Sequence, residues 1–328
     1  MRLATLCSAL LLGAAPVCAE TPRIATDILP VQSLVAMVAG DLAEPEVVVA
    51  PGASPHSFAL RPSQARALEQ AQLVVWVGPE LTPWLEKPVT TLSTGAQDLR
   101  LLHVPGIETL AFRDILAGEE EDDHDDHGEE GHDDHDHEGH DDHDHEAHEG
   151  HEHHHHVGDT DPHAWLDPRN AAVWVGAIAE ALAGIDPEHA ETYRTNAAAA
   201  AAELTALDAR LAEKLAGATD ARFISFHDGF QYFEHRYGLT SVGTVALGDA
   251  SDPSPARIAE LRERVAATGA SCAFREPQYN DRLLQTVAEG QSLGFAVLDP
   301  LGSELTPGAT LYPDLLEAMA TAVAACAK

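Results

Sequence analysis

Residues 187–217 read PEHAETYRTNAAAAAAELTALDARLAEKLAG, and this stretch constrains the fold more than any other. Between its first and last residues it contains no proline or glycine, and alanine, leucine, glutamate and arginine, which favour helices, dominate it. A proline in the first turn and a glycine after the last are typical of the start and end of a helix. We therefore predict a single stiff helix over residues 187–217, roughly 45 Å long at about 1.5 Å per residue.

Strand patterns alternate with helix patterns on both sides of this helix. The N-terminal side contains the apolar runs RIATDIL, EVVVAP and QLVVWVG, and the C-terminal side contains RFISF, TSVGTVAL, ASCAFRE and GFAVLDP. Strands that alternate with helices indicate parallel sheets wound in right-handed βαβ units. We predict an α/β fold in which an N-terminal lobe (residues 20–186) and a C-terminal lobe (residues 218–328) are joined by one long rigid helix (residues 187–217).

Negative charge is concentrated in one insert within the N-terminal lobe. The formal net charge is −35 at pH 7, and 19 of the 54 acidic side chains lie between residues 119 and 152, where lysine and arginine are absent. Without that segment the net charge is −16. An acidic chain is a poor partner for nucleic acids and for anionic membranes, because both require a basic surface. The charge therefore favours cations as ligands.

The acidic insert over residues 119–156 is a low-complexity segment rich in histidine. The sequence GHDDHDHE occurs twice in succession, at residues 131–138 and 139–146. Such a polar segment cannot bury a core, so we predict a disordered loop with several weak, exchangeable metal sites. The alternative is a solvated linker that binds metal incidentally. The histidines of this loop are His124, His127, His132, His135, His137, His140, His143, His145, His148, His151, His153, His154, His155 and His156.

Residues 1–19 have the pattern of a secretory signal peptide. One arginine precedes an apolar run, and small residues before position 20 indicate cleavage after Ala19. A lipoprotein acylated at Cys18 is the alternative. Export changes what we expect of the cysteines in the mature chain. An even pair in an exported protein predicts a disulfide, here between Cys272 and Cys326, whereas a cytosolic protein would keep two free thiols.

Polar side chains follow the predicted strands at the ends where ligands bind to parallel sheets. His56 lies in the loop after EVVVA, His227 follows RFISF directly, and Asp299 follows GFAVL directly. His163 lies in DPHAWLDP, where the N-terminal lobe passes into a helix. Three imidazoles and one carboxylate from both lobes would meet in the cleft between them. For each histidine taken alone, a hydrogen-bonded or solvated side chain is the competing interpretation.

Other polar residues near these motifs receive ordinary roles. We expect His103, His189 and His235 to be surface side chains without a metal. Asp167 and Asp228 could orient an imidazole or cap a helix, and the sequence leaves both roles open.

Several long motifs carry a resemblance to a known family. They are PGASPHSFALRPSQARALEQAQLVVWVGPELTPWLEK, DPHAWLDP, SFHDGFQYFEHRYGL, CAFREPQYN and LDPLG, in this order along the mature chain. The sequence resembles the zinc-binding periplasmic proteins of ABC importers, within the metal-specific solute-binding family. The resemblance implies two α/β lobes linked by a rigid helix, with the metal between the lobes. It also implies that His56, His163 and His227 are the metal ligands.

The resemblance bears on the metal and on its fourth ligand as well. Manganese-binding members carry a carboxylate where His227 stands, and imidazole nitrogens suit zinc whereas manganese prefers oxygen ligands. Many zinc-binding members have glutamate immediately before the first histidine, but this chain has Pro55 there. We therefore predict Zn²⁺ as the bound metal and Asp299 as its fourth ligand, with water as the alternative.

These observations predict a periplasmic receptor that binds Zn²⁺ with high affinity. We expect it to deliver the ion to the membrane permease of a zinc ABC importer and to have no enzymatic activity. It is further expected to be a monomer and to bind no nucleic acid. A zinc-delivering periplasmic chaperone is an additional candidate partner.

Two other functions use the same ligands. A periplasmic zinc buffer or metallochaperone would share all of them, and neighbouring permease and ATPase genes would argue against it. A zinc hydrolase or hydratase also combines three histidines with water. Assays with CO₂ or activated esters distinguish that class from a receptor.

Overall fold

The computed structural model describes residues 21–113, 160–246 and 253–327 of the chain. The predicted signal peptide (residues 1–19) and the predicted histidine-rich loop with its weak sites (residues 119–156) lie outside the described residues. Within the described ranges, no helix is both long enough and apolar enough to cross a membrane.

The N-terminal lobe is a parallel sheet flanked by helices. Its strands are β1 (Ile24–Thr26), β2 (Glu46–Val47), β3 (Leu73–Trp76) and β4 (Gln97–Arg100). The helices between and after them are α1 (Leu29–Ala39), α2 (Pro62–Gln70) and α3 (Pro83–Leu92). The strands lie in the order β2-β1-β3-β4. Each helix has a proline at its first or second position, where the missing N–H removes no helical hydrogen bond.

Helix α4 (Pro168–Ile185) ends the N-terminal lobe, and the long helix α5 (Ala190–Leu215) connects the two lobes. Helix α5 has 26 residues and lies within the predicted helical stretch. The residues just before it, Pro187–His189, form a 3-10 turn, in which the Asp186 carboxylate contacts His189 Nδ1 at 2.8 Å. A tighter turn of this kind is common at the N-terminus of an α-helix.

The C-terminal lobe repeats the arrangement of the first. Its strands are β5 (Arg222–His227), β6 (Thr240–Ala246), β7 (Cys272–Arg275) and β8 (Gly294–Val297). Its helices are α6 (Gln231–Tyr237), α7 (Pro255–Thr268), α8 (Arg282–Ala288) and α9 (Leu311–Cys326). All neighbouring strands are parallel, in the order β6-β5-β7-β8. The predicted fold, two parallel-sheet α/β lobes joined by a long helix, is confirmed.

One continuous core connects the two lobes. It includes Ile24 of β1, Leu204 of α5 and Met319 of α9, all of them buried. Helix α5 packs against α1, α4 and α9 along a single apolar stripe. The Tyr312 hydroxyl of α9 also donates a hydrogen bond to the Trp165 carbonyl, at 2.6 Å. The connecting helix is therefore held rigid by tertiary packing as well as by its own hydrogen bonds.

The predicted disulfide is present in the C-terminal lobe. Cys272 lies at the start of β7 and Cys326 is the last residue of α9, and their Cα atoms are 5.8 Å apart. The bond attaches the C-terminal helix to the second sheet.

Candidate metal centre

Three histidines from distant parts of the chain converge between the lobes. His56 lies in the loop between β2 and α2, His163 precedes α4, and His227 is the last residue of β5. One ligand atom from each lies within 4.8 Å of the others. The Nε2 atoms of His163 and His227 are 3.3 Å apart. A tetrahedral zinc ion with Zn–N bonds of about 2.0–2.1 Å holds two ligand nitrogens about 3.3–3.4 Å apart, so this pair has the spacing that zinc requires.

The space among the histidines is small. His163 and His227 are only 1% and 2% exposed, and His56 is half-buried. The cavity has a volume of about 10 Å³. A cavity of this size accommodates one water molecule or one ion. Its lining residues are Pro55, His56, His163, Trp165, His227, Gln278, Tyr279, Pro300 and Leu301.

Two buried carboxylates orient two of the imidazoles. Asp161 Oδ1 binds His163 Nδ1 at 2.7 Å and accepts a hydrogen bond from the His163 backbone N–H at 3.0 Å. Glu276 Oε2 lies 2.5 Å from His227 Nδ1. A carboxylate at Nδ1 favours the proton on that nitrogen and leaves Nε2 free to bind metal. The two negative charges also match the charge of a divalent cation.

The sequence alone does not reveal the roles of Asp161 and Glu276. Both positions follow simple patterns, since Asp161 stands two residues before His163 and Glu276 directly follows β7. Asp167 and Asp228, the two aspartates that could orient an imidazole or cap a helix, have other contacts. Asp167 caps α4 by accepting a hydrogen bond from the Arg169 backbone N–H at 2.8 Å. Asp228 binds Arg113, whose Nη2 lies 2.8 Å from Asp228 Oδ1.

Burial and charge shift the pKa values of two of these imidazoles in opposite directions. Burial lowers the pKa of His56 well below its ordinary value, and the nearby His163 and His227 rings lower it further. Burial would also lower the pKa of His227, but the Glu276 carboxylate outweighs that effect and raises it. The lowered pKa favours the neutral, metal-binding form of His56, whereas the raised pKa of His227 means that protons compete with a metal ion more readily at that imidazole.

A tryptophan supports the loop that carries His56. Trp84 Nε1 donates a hydrogen bond to the Pro55 carbonyl at 2.7 Å. The Trp84 ring also contacts Phe58, with the ring centroids 5.4 Å apart. These contacts fix the backbone on both sides of His56, although the loop has no regular secondary structure.

Asp299 is bound within its own loop in this conformation. Its carboxylate accepts hydrogen bonds from the backbone N–H groups of Leu301 (3.0 Å) and Ser303 (2.6 Å), and from Gln278 Nε2 (2.8 Å). Among the described residues, the group of candidate metal ligands that lie close together consists of His56, His163 and His227. Direct coordination by Asp299 stays a prediction, and it would require these hydrogen bonds to rearrange.

The remaining histidines in the described ranges have partners away from this centre. His103 binds Glu80 at 2.8 Å, His189 binds Asp186, and His235 lies 3.7 Å from Glu108.

We expect Glu276→Gln to weaken zinc binding more than Asp161→Asn. Glu276 Oε1 accepts hydrogen bonds from the backbone N–H groups of Phe226 and His227, so a glutamine must keep its oxygen there. Its NH₂ group would then face His227 Nδ1 and force the ring proton onto Nε2. In Asp161→Asn, the amide oxygen can keep both contacts to His163. Loss of a group that hydrogen-bonds a metal-binding imidazole typically lowers metal affinity about 10–100-fold, and we expect that range for Glu276→Gln.

The measurement is competition for zinc with a chromophoric chelator. Glu263→Gln, on the exposed face of α7, is a matched control that should bind as the wild type does. Equal affinities for Glu276→Gln and Glu263→Gln would contradict the proposal that Glu276 determines which nitrogen of His227 carries the proton.

Comparison with known proteins identifies the family. The family described as ZnuA, zinc-uptake complex component A periplasmic, matches residues 24–326. The chain is 50% identical over 322 residues to the high-affinity zinc uptake system protein ZnuA of Paracoccus denitrificans, covering 98% of this chain and 96% of that protein. It is 39% identical over 307 residues to the protein of the same name from Brucella abortus, and the match covers 94% of this chain and 92% of that protein.

A solved structure supports the fold independently. A crystal structure of ZnuA superimposes with a TM-score of 0.74 at 22% identity, covering 94% of this chain and 100% of that chain. At this identity the likeness concerns the fold, and the sequence matches over nearly the whole chain establish the relationship. The chain belongs to the ZnuA family of periplasmic zinc-uptake components.

Proposed function

We propose that this chain is a high-affinity periplasmic receptor that captures Zn²⁺ and delivers it to an inner-membrane ABC importer. The observation that carries the proposal is the cluster of His56, His163 and His227 around a cavity of about 10 Å³. Relatives named high-affinity zinc uptake system proteins, which match most of the chain, support the same function. In this proposal the three histidines are the zinc ligands.

The donor set favours zinc over divalent ions that prefer oxygen ligands. Three imidazole nitrogens suit Zn²⁺, whereas Mn²⁺, Mg²⁺ and Ca²⁺ prefer oxygen ligands. Asp161 and Glu276 contact two of the imidazoles and compensate the ion's charge without binding it. Because Asp299 is held by its own loop, we propose water as the fourth ligand in this conformation.

We further propose that the chain catalyses no reaction. A catalytic zinc site needs room for a substrate beside the activated water. The cavity of about 10 Å³ has no such room in the described conformation.

We also propose that the protein is exported and acts as a monomer. The pattern of residues 1–19 supports cleavage of a signal peptide and a periplasmic location. Among the described residues, Leu92, Phe295 and Val297 are the large apolar side chains that are exposed, which is little surface for a stable dimer. The permease is the principal proposed partner, and a zinc-delivering periplasmic chaperone would be a second.

Deletion of residues 119–156 is expected to remove weak zinc sites and to keep one tight site, because all three proposed ligands lie outside that segment. The deletion should leave the fold intact, because the segments before and after the insert lie next to each other. Ala111 and Thr160 form an antiparallel bridge, and the Asp161 backbone N–H donates to the Leu110 carbonyl at 2.8 Å. Calorimetric titration of the mature and deleted proteins measures both classes of site. Loss of the tight site with the insert would contradict this division.

Delivery is tested in proteoliposomes that contain the permease and ATPase of the same organism. Zinc-loaded wild-type protein is expected to drive ATP-dependent uptake, and the His227→Ala variant is expected to fail. Uptake at the same rate without the protein would refute the receptor role and favour a zinc buffer.

A further inference from the structure

Gln278 is a polar side chain at the candidate metal centre. It lies in the loop after β7, two residues beyond Glu276, and it lines the cavity together with the three histidines. The strand order β5-β7-β8 places this loop between His227, at the end of β5, and Asp299, which follows β8. Since neighbouring strands are about 4.8 Å apart, the end of β8 is about 10 Å from the end of β5.

Two residues fix the orientation of the Gln278 amide. Its Nε2 donates hydrogen bonds to Asp299 Oδ1 at 2.8 Å and to Ser303 Oγ at 2.9 Å. A carboxylate can only accept hydrogen bonds, so the amide nitrogen, not the oxygen, must face Asp299. Asp299 is itself held by the Leu301 and Ser303 backbone N–H groups. The position of Nε2 is therefore fixed, and with it the orientation of the Gln278 amide.

The amide oxygen of Gln278, a residue that lines the cavity, has no partner within the described part of the chain. This oxygen, Oε1, is buried. Buried carbonyl oxygens are almost always paired, and an unpaired one at a functional site requires an explanation. A bound cation with its water supplies one, because water on a metal ion is a strong hydrogen-bond donor and the oxygen has two lone pairs.

We propose that Gln278 is a positioning residue that accepts a hydrogen bond from the water on the zinc ion, and that Asp299 acts on the metal through Gln278. This inference rests on the proposed zinc-binding function and adds the residue that holds the fourth coordination position. It also assigns a different role to Asp299, as the group that turns the amide oxygen toward the ion. Pro55 cannot supply a side-chain oxygen there, so the chain obtains one from the other lobe.

The proposal predicts a specific pattern in a double-mutant cycle. Gln278→Leu keeps the approximate shape and removes the oxygen, and we expect zinc affinity to fall about tenfold. Asp299→Asn should also weaken binding, because its NH₂ group replaces one carboxylate oxygen and must face either the Ser303 N–H or Gln278 Nε2, which disturbs the contacts that orient the Gln278 amide. In the Gln278→Leu background, Asp299→Asn should have little further effect, because the side chain through which it acts is gone.

The experiment combines chelator competition with the absorption spectrum of the Co²⁺-substituted protein. Gln278→Leu and Asp299→Asn should change the Co²⁺ bands in the same way, which a purely structural role would not do. Gln285→Leu, on the exposed face of α8, is the matched control. Wild-type affinity and spectrum in Gln278→Leu would overturn the proposal. Equal losses from Asp299→Asn in both backgrounds would also overturn it, because Asp299 would then act independently of Gln278.

The histidine variants separate this inference from the proposed function. If His227→Ala abolishes tight binding while Gln278→Leu has no effect, only the role of Gln278 fails. If His227→Ala also binds zinc as the wild type does, the proposed function itself fails.

Discussion

Replacement of His56, His163 or His227 by alanine, one at a time, is expected to weaken zinc binding on the order of a thousandfold or more. Loss of an outer partner of a zinc ligand already costs about 10–100-fold, and loss of the ligand itself must cost more. Among the described residues, the neighbouring carboxylates are already engaged. Asp161 and Glu276 are held against the imidazoles, and the Asp299 carboxylate is occupied by its own loop. Water would have to replace the missing nitrogen.

The measurement is zinc competition with a chelator of known affinity, on protein from which metal has been removed. His103→Ala and His235→Ala are suitable controls, because both side chains are more than half exposed and pair with surface glutamates. Both controls should retain wild-type affinity. Unchanged affinity in all three single variants at the centre would refute the proposed ligand set.

The second large effect concerns stability. Replacing Cys272 and Cys326 together by alanine is expected to lower the free energy of unfolding by about 4 kcal/mol. The cysteines are 54 residues apart, and the chain-entropy model assigns roughly this value to a loop of that length. Replacing both residues avoids leaving a single reactive thiol. Since both side chains are mostly buried, some lost packing would add to the effect.

Urea denaturation of the wild-type and double-alanine proteins measures this difference. The variant should unfold at a lower urea concentration, whereas addition of reductant should shift the wild type and leave the variant unchanged. Zinc binding by the folded variant should persist, because Glu276 and Gln278 follow the opposite end of β7 from Cys272. Coincident unfolding curves for the two proteins would contradict the stabilising role. Two alkylatable thiols in native material would show that the bond is not formed in the cell.

Two of the three histidines proposed as ligands could be predicted because each has a local signature. His227 directly follows an apolar strand, and in parallel sheets the ends of strands face the ligand crevice. His163 lies in DPHAWLDP, one of the motifs that carry the resemblance to the family. The cysteine pair followed from export and from the even number in the mature chain. None of these inferences needed a distance between residues.

The residues that contact the imidazoles or lie beside them could not be predicted in the same way. Glu276 is 49 residues from His227, and their pairing depends on β7 lying next to β5 in the sheet. The sequence shows that both residues follow strands, but strand order is a tertiary property. The same order separates Asp299 from His227 by one strand and places Gln278 between them. A prediction based on strand ends alone could not distinguish these positions.

The sequence by itself determined the α/β class, the long connecting helix, the cysteine pair and the histidines that meet between the lobes. These features depend on short-range patterns such as helix propensity, strand ends and residue type. The tertiary structure decided what the helix packs against, which carboxylates hold the imidazoles and where Asp299 makes its hydrogen bonds. Those contacts join residues far apart in the chain, and their geometry is set by strand order and by the shared core. Hydrogen bonds act over about 3 Å, so only the packed fold could select among the candidate partners.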